Sequence, residues 1–438
     1  MICVTNMWQK EIETMARKDI EALQLERLKW SVQYSYDRVP FYRKKLDECG
    51  IKPEKVKVLS DIQYLPFTTK DDLKNNYPFG MFAQPRKNLV RVHGSSGTTG
   101  KPTIVGYTRN DMNNWTDLVA RVVTAAGVTD EDVAQIAFGY GLFTGAFGLH
   151  QGLERIGAMV VPLSSGNTER QLMLMEDFQT SVLIATPSYA IYLAELIEER
   201  GLRDKLNLRI GLFGSESCSA DTKAAIEKYM GLTVTDNYGM SELIGPGVAG
   251  ECHLRQGLHL AEDHFLPEII DSDTLQPLAP GETGELVMTS LTKEALPILR
   301  YRTKDITCLN YEPCECGRTH VRMDKIKGRA DDMVIIKGVN VFPSQVESAI
   351  SGIPEVGPHY MLVLHRDGVM DSLEVQVELT SADVLESFSE LKRVEKTIGS
   401  RLQSVLGLRA KVSLVEPKSL ERFQGKAKRI IDLRDQKQ

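Results

Sequence analysis

No stretch of this 438-residue sequence approaches 18 uninterrupted apolar residues, and its opening, MICVTNMWQKEIETM, lacks a basic segment followed by an apolar core. Neither a membrane-spanning helix nor a secretory leader is predicted, and a soluble, cytoplasmic protein is expected. An excess of positive charge is also missing: the formal net charge is −6, with 53 Lys and Arg against 59 Asp and Glu. That balance argues against a nucleic-acid binder and identifies no partner by itself. Cysteine is scarce, and its count of seven is odd in a long chain without an export signal. A disulfide framework is therefore not expected, and any cysteines that cluster become candidate metal ligands. The absence of a GxSxG elbow speaks against a hydrolase, and no internal repeat or low-complexity segment occurs.

What is present reads as an α/β protein of two or three domains, because the length exceeds one comfortable core. Residues 7–47 show helical periodicity with dense charge, and a further helix should start at Thr69. From Val133, short apolar runs (VAQIAFGY, AMVVPL, SVLIATP, LRIGLFG) alternate with amphipathic stretches (GLHQGLERIG, ERQLMLMEDFQ and a run to about Arg200). Such alternation predicts βαβ units, hence a largely parallel sheet covered by helices. After Gly250 the pattern turns β-rich, as in HFLPEIID and GELVMTSL. Beyond Arg329 a small α+β domain is predicted, with helices over 343–350 and about 385–405 and strands near 361–364, 373–379 and 411–415. Leu373, Val375, Val377 and Leu379 alternate cleanly, so that strand should hide one face. The boundary falls between residues 328 and 329, giving domains 1–328 and 329–438.

The segment VHGSSGTTGKP has little apolar material to bury. Its glycines allow successive backbone N–H groups to converge on an anion, for which phosphate is the obvious guest. It nearly fits the P-loop pattern through Gly100 and Lys101, but Ser95 replaces the first glycine and Pro102 the Mg²⁺-binding hydroxyl. A P-loop lysine also opens a helix, whereas here the strand-like TIVGY follows. The expected arrangement is therefore strand (89–93), phosphate-holding loop, strand (103–107), against the blander reading of a flexible turn.

Four further segments carry chemistry. Asn237-Tyr238-Gly239-Met240-Ser241-Glu242 sets a carboxylate near a phosphate loop, useful chiefly through Mg²⁺, and Glu242 is the candidate ligand. Taken alone, Glu242 would pass as a solvated turn residue. In Tyr301-Arg302-Thr303-Lys304-Asp305, Asp305 has the chemistry to accept a ribose diol, or merely to form a turn. Gly328-Arg329-Ala330-Asp331-Asp332 lies at the domain boundary, where a plain linker is the alternative. Gly425-Lys426-Ala427-Lys428-Arg429 reads as a solvated basic tail unless other features recruit it.

The ordered series SSGTTGKP, NYGMSE, YRTKD, GRADDMVIIKGVN and QGKAKR resembles the adenylate-forming superfamily of acyl-CoA ligases, luciferases and peptide-synthetase adenylation domains. Within it, LPFTTKDDLKNNYPFGMFA, FGYGLFTGAFGLH and KGVNVFPSQVE resemble the phenylacetate-CoA ligase family over nearly the whole chain. One departure is Lys304, where the family usually has glycine before or beside the ribose-binding Asp. The resemblance implies a large N-terminal adenylate-forming domain with helix-covered sheets and a small mobile C-terminal lid. It also implies an AMP-forming acid-thiol ligase, in which the acid attacks the α-phosphate of ATP and CoA then displaces AMP. Transfer to a carrier-protein thiol is the near alternative, and a non-catalytic nucleotide sensor a more distant one.

On that resemblance Ser95, Ser96, Gly97, Thr98, Thr99, Gly100 and Lys101 would hold the β- and γ-phosphates, and Glu242 Mg²⁺. Gly214, Ser215, Glu216, Asp236, Asn237, Tyr238, Gly239, Met240 and Ser241 would border AMP, with the Tyr238 ring stacked on adenine. Asp305 and Arg329 would engage ribose and phosphate, Lys426 would be the catalytic lysine, Asp331 the hinge, and Gly338 would line the CoA tunnel. Tyr140, Phe143, Phe147, Ile244, Gly245 and Pro246 are candidates for an aromatic-lined pocket, with core packing as the alternative. The resemblance favours phenylacetate or a related aryl acid, indole-type acids included. Related ligases are often homodimers, but the residues do not decide the oligomeric state.

Cys314 and Cys316 form a CxC pair, and Cys252 with His259 lies in a second loop-like stretch, ECHLRQGLH. Four such ligands suit a closed structural Zn²⁺ site, with His253, His264, His320 and Cys308 as rivals and free cysteines as the alternative.

Overall fold

Val133–Ile136, Met159–Val161, Val182–Ala185, Ile210–Gly214 and Thr233–Met240 are all strands, and successive spatial neighbours among them pair in parallel. Their near-continuous apolar sequences account for this, since a strand covered on both faces needs no polar alternation; all four residues of Val182–Ala185 are buried. The sheet continues antiparallel through Gly245–Glu251 and Leu258–Leu260 to the short strands Arg322–Met323 and Leu309–Asn310, reaching nine strands.

The computed structural model describes residues 6–95, 102–216, 218–330, 334–336, 339–367, 370–423 and 428–434. The chain divides into two compact units. One comprises Met1–Ala185, Leu202–Ser215 and Gly231–Lys325, the other Thr186–Gly201, Glu216–Met230 and Ile326–Gln438.

In the first unit the helical opening breaks into Lys10–Glu13, Arg17–Arg38 and Pro40–Glu48. Pro40 takes the first position of the third helix, where its missing N–H costs nothing. Thr69 does start a helix: it caps Lys70–Asn75 and exchanges hydrogen bonds with Asp72 in a capping box. Strands Arg91–Gly94 and Ile104–Tyr107 pair antiparallel, so no helix follows the glycine-rich segment and the P-loop arrangement is excluded. A further antiparallel sheet contains Phe265–Ile270, Gly284–Ser290 and Tyr301–Thr307.

The second unit is built on a four-stranded sheet ordered Lys411–Val415, Met370–Leu379, Val356–Asp367, Ile430–Asp432. Leu373, Val375, Val377 and Leu379 are all buried, as their alternation predicts, and pack with Val394, Ile398 and Leu402 of the helix Phe388–Leu406. The helix expected over 385–405 is interrupted: Ser387 adopts an extended backbone (φ −108°, ψ 102°) and caps Phe388–Leu406. Asp383–Glu386 is thereby left as a separate turn of helix.

Candidate active site and metal centre

Parallel strands direct their C-terminal ends, and the turns that follow, to one edge of a sheet, which is where open α/β sheets bind ligands. The register Phe213↔Asp236 and Gly214↔Asn237 brings two stretches expected around AMP side by side at that edge. Asn237 Nδ2 donates to the Phe213 carbonyl at 2.9 Å, and Ser215 turns away with φ 73°. Tyr238 Oη donates to Asp305 Oδ2 at 2.6 Å, joining the expected adenine and ribose residues directly. Asp305 is reached through a bulge, because Glu285 pairs with Ile306 but Val287 with Arg302. Thr303 pins this bulge, donating to the Leu286 carbonyl at 2.7 Å and accepting from the Asp305 N–H at 3.0 Å. Lys304, the residue that departs from the family pattern, sits at its apex with φ 67°. That left-handed backbone is one glycine adopts freely, so the lysine carries strain, while its Nζ lies 3.5 Å from Glu285 Oε2.

The aromatic segment after Val133–Ile136 lies beside the stretch that follows NYGMSE. Thr144 and Ser241 hydroxyls are 3.1 Å apart, and a Cβ on Gly245 (φ 115°) would fall 2.6 Å from Trp115 Cζ2. Trp115 Nε1 donates to the Pro246 carbonyl and Tyr107 Oη to that of Ile244, both at 2.8 Å. Tyr140 meets Phe147 edge-on (centroids 5.1 Å apart), and Phe147 faces His93 at 5.6 Å. The Tyr140 hydroxyl is oriented by a chain. His150 Nε2 lies 2.9 Å from Glu154 Oε1, and its Nδ1 lies 2.9 Å from the Tyr140 hydroxyl. Phe143 does not join this ring cluster and is 43% exposed.

Buried polar groups surround the edge, some of them without a hydrogen-bond partner among the described residues. His93 Nε2 and Lys293 Nζ are two of them, Lys293 lying 3.9 Å from the centre of the Tyr107 ring. Burial pushes the Lys293 ammonium down to about 8. Glu242 in the same region is buried, only 6% exposed. A buried carboxylate so placed suits a cation ligand. Sequence reasoning missed His93, Tyr107, Trp115 and Lys293. The proximity of His93 to SSGTTG was the one available signal, and LTKEAL around Lys293 carries no motif.

Ser95 closes the base of its loop, its N–H donating to the Thr103 carbonyl at 2.9 Å. Ser96, Gly97, Thr98, Thr99, Gly100, Lys101, Asp331, Gly338 and Lys426 lie outside the described residues. Glu216 belongs to the second unit, where it accepts from Ser188 Oγ at 2.5 Å; Arg329 belongs there too, in the strand Gly328–Arg329.

Away from this edge, Cys252, His259, Cys314 and Cys316 converge, their ligand atoms all within 4.8 Å of one another and all four side chains buried. Cys252 and Cys314 sulfurs are 4.0 Å apart, and His259 Nε2 is 3.5 Å from Cys316 Sγ. Ligands at zinc–sulfur and zinc–nitrogen bond lengths on a tetrahedron are separated by roughly 3.5–3.8 Å, so the donor set and its spacing fit Zn²⁺. Hydrogen bonds from Cys252 and then His259 hold the Cys316 thiol well below its usual range, and His259 lowers Cys314, whereas Cys252, bonded to Cys316, is pushed up. The rivals are engaged elsewhere: His264 with Thr292, His320 with the Leu260 and Ile12 carbonyls, Cys308 with Asp324. His253 is not part of the group.

These features have counterparts in known proteins. Residues 15–292 match the AMP-binding enzyme family, and residues 338–434 match the AMP-binding enzyme C-terminal domain. The chain is 48% identical over 443 residues to phenylacetate-coenzyme A ligase of Thermus thermophilus (98% of this chain, 100% of the relative). It is 46% identical over 435 residues to the Escherichia coli enzyme of the same name (99% of each). A crystal structure of 2-hydroxyisobutyryl-CoA ligase in the postadenylation state, in complex with R3-HIB-AMP, superposes with a TM-score of 0.89 at 30% identity, covering 96% of this chain and 91% of that one. The chain belongs to the AMP-binding, adenylate-forming enzymes. Within them it is a member of the phenylacetate-CoA ligase family. No helix among the described residues is long and apolar enough to cross a membrane.

Proposed function

We propose that this enzyme activates an aryl acid of the phenylacetate type in two steps and delivers it to CoA in the cytoplasm. In the first, a carboxylate oxygen of the acid attacks the α-phosphorus of ATP, and the bond to pyrophosphate breaks. In the second, the CoA sulfur attacks the acyl carbon, the bond to AMP breaks, and the thioester and AMP leave. The joining of Tyr238 to Asp305 at the strand edge is the observation that most directly supports this reading, because it unites an aromatic face for adenine with a carboxylate for ribose.

Gly214, Ser215, Asp236 and Asn237 border the nucleotide, and the loop beginning at Ser95 takes the outer phosphates through backbone N–H groups. Glu242 holds Mg²⁺, which when bound neutralises phosphate charge. Tyr140, Phe147, Ile244, Gly245 and Pro246 wall the aryl group, with Phe143 at an exposed margin. Lys426 stabilises the charge that concentrates between carboxylate and α-phosphate. Asp331 is the hinge about which residues 329–438 rotate between the steps, and Gly338 lines the CoA path. Cys252, His259, Cys314 and Cys316 hold a structural Zn²⁺.

The test is pyrophosphate release across a panel of aryl acids, beside hydroxylamine trapping of the activated acyl group and CoA-dependent AMP release. Trapping without CoA dependence would transfer the reading to a carrier-protein acceptor; no acid-dependent pyrophosphate would end it. Asp331→Pro should slow thioester formation while sparing acyl-AMP formation, read by assaying the two steps separately.

A further inference from the structure

The loop carrying two of the four metal ligands is also the seat of residues 6–15. Arg318 stands two residues beyond Cys316, and its guanidinium faces three ways. Nη1 points at Cys316 Sγ (3.7 Å), Nε donates to Glu13 Oε2 (2.6 Å), and Nη2 donates to the Asn6 carbonyl (2.9 Å). The Arg318 and Glu13 side chains are 3% and 4% exposed. Thr319 continues the junction, its N–H donating to the Glu13 carbonyl at 3.0 Å and its hydroxyl to the Met15 carbonyl at 2.6 Å, while His320 Nε2 lies 3.1 Å from the Ile12 carbonyl.

The docked segment has little structure of its own to rely on. Its only helix is the four-residue Lys10–Glu13, far shorter than an isolated helix needs to persist in water. Its conformation must therefore be imposed by the surfaces it lies on: the metal loop, and the helix Arg109–Ala125, where Trp8 Nε1 donates to Asp117 Oδ1 (3.2 Å) and Arg121 Nε donates to Gln9 Oε1. Three thiolates and a neutral imidazole around Zn²⁺ leave one net negative charge. Inside the protein such a charge calls for a cation, and Arg318 is the cation placed against a ligand sulfur. The same guanidinium hands its remaining donors to Glu13 and Asn6, which joins the charge of the metal centre to the fold of the opening segment. A cavity of about 30 Å³ bordered by Glu13, His259, Arg318 and His320 lies at this junction, large enough for one water to serve the outward His259 Nδ1.

We infer that metal binding at Cys252, His259, Cys314 and Cys316 locks residues 6–15 onto the protein, with Arg318 as the positioning residue that couples the two. This rests on the zinc reading above and extends it: the metal does not merely join the Cys252–His259 and Cys314–Cys316 segments but fixes a third, distant piece of chain.

The test uses the purified full-length protein, zinc content by elemental analysis, and amide hydrogen exchange before chelation, after chelation and after zinc is restored. Removing zinc should raise exchange within residues 6–15 by roughly tenfold or more, reversibly, while Val182–Ala185 stays protected. Arg318→Met should retain one zinc per chain yet release residues 6–15 to the same degree. Glu13→Gln, a gentler change, should retain zinc and release them partly. Undiminished protection of residues 6–15 after zinc has left, or in zinc-bound Arg318→Met, overturns the coupling while leaving the metal site standing. Failure of the wild-type protein to bind zinc at all overturns the metal reading itself.

Discussion

The sheet edge and the cysteine loop are both buried and polar, yet they handle their polar atoms in opposite ways. At the edge, Lys293 Nζ and His93 Nε2 lie buried with no hydrogen-bond partner among the described residues, and the Glu242 carboxylate is only 6% exposed. Around the cysteines, Glu13, Arg318 and Thr319 are bonded to one another's segments, and Arg121 grips Asp263 with two bonds of 2.7 and 2.9 Å. His259 Nδ1, beside its small cavity, and Nε of Arg322, the residue paired with His259 in the sheet, are exceptions there. Native interiors satisfy nearly all their polar groups, so a concentration of uncommitted ones marks a place organised for something that arrives later. A region in which they are satisfied is organised for the fold itself.

If that contrast holds, changes at the reaction site should alter rate, and changes at the cysteine loop should alter stability. The largest effect is expected for Lys426→Ala, which should cut acyl-AMP formation by roughly 10² to 10³ with an unchanged unfolding midpoint; ordinary hydroxamate yields from that variant would remove the lysine from the mechanism. Glu13→Ala leaves Arg318 buried without its carboxylate and should cost about 3 kcal/mol in urea unfolding, with turnover per folded molecule preserved. A large fall in turnover at full stability would erase the distinction between the regions.

Lys293 sharpens the comparison through pH. Its folded pKa, about 8, lies below the unfolded value of 10.5, so the buried ammonium destabilises the fold fully below pH 8, and the penalty fades as pH rises towards 10.5. Relative to Lys293→Met, the wild-type protein should therefore gain roughly 2–3 kcal/mol of stability across that window. Parallel stability profiles for the two proteins would show that the ammonium is paired after all. The smallest effect is expected for Lys304→Gly, which should relieve the left-handed backbone and raise stability by less than about 1 kcal/mol, the lost Glu285 contact and the freer unfolded chain offsetting part of the gain. Destabilisation would mean that the lysine's ion pair outweighs its strain.

Part of the edge was legible because its chemistry lies in short contiguous segments: LTVTDN read as a strand, although the strand Thr233–Met240 runs on into NYGM, and its register with Ile210–Gly214 was not readable. The four residues of the candidate metal centre were legible as two short spacings, although His259 lies in the strand Leu258–Leu260 and not in a loop. What could not be read was whatever depends on pieces far apart in sequence. Glu13 and Arg318 stand 305 residues apart, and nothing in KEIE predicts that its last carboxylate will be buried. The break at Ser387 was hidden by a helical pattern that continues through it, and only the backbone turn reveals that the serine caps a new helix. Nor does linear order show that Thr186–Gly201 and Glu216–Met230 cluster with residues from Ile326 onward.

A Cβ on Gly239 would sit 2.0 Å from the Gly245 carbonyl oxygen, so main chain touches main chain between the stretches proposed to border AMP and the acid. Anyone redesigning this enzyme for other acids inherits that junction. Bulk introduced at 245 or 246 would press on Gly239 and Met240, and so disturb the stretch proposed to border AMP along with the proposed acid pocket. Tyr140 and Phe147, whose side chains are held through a separate helix, offer safer positions for mutagenesis.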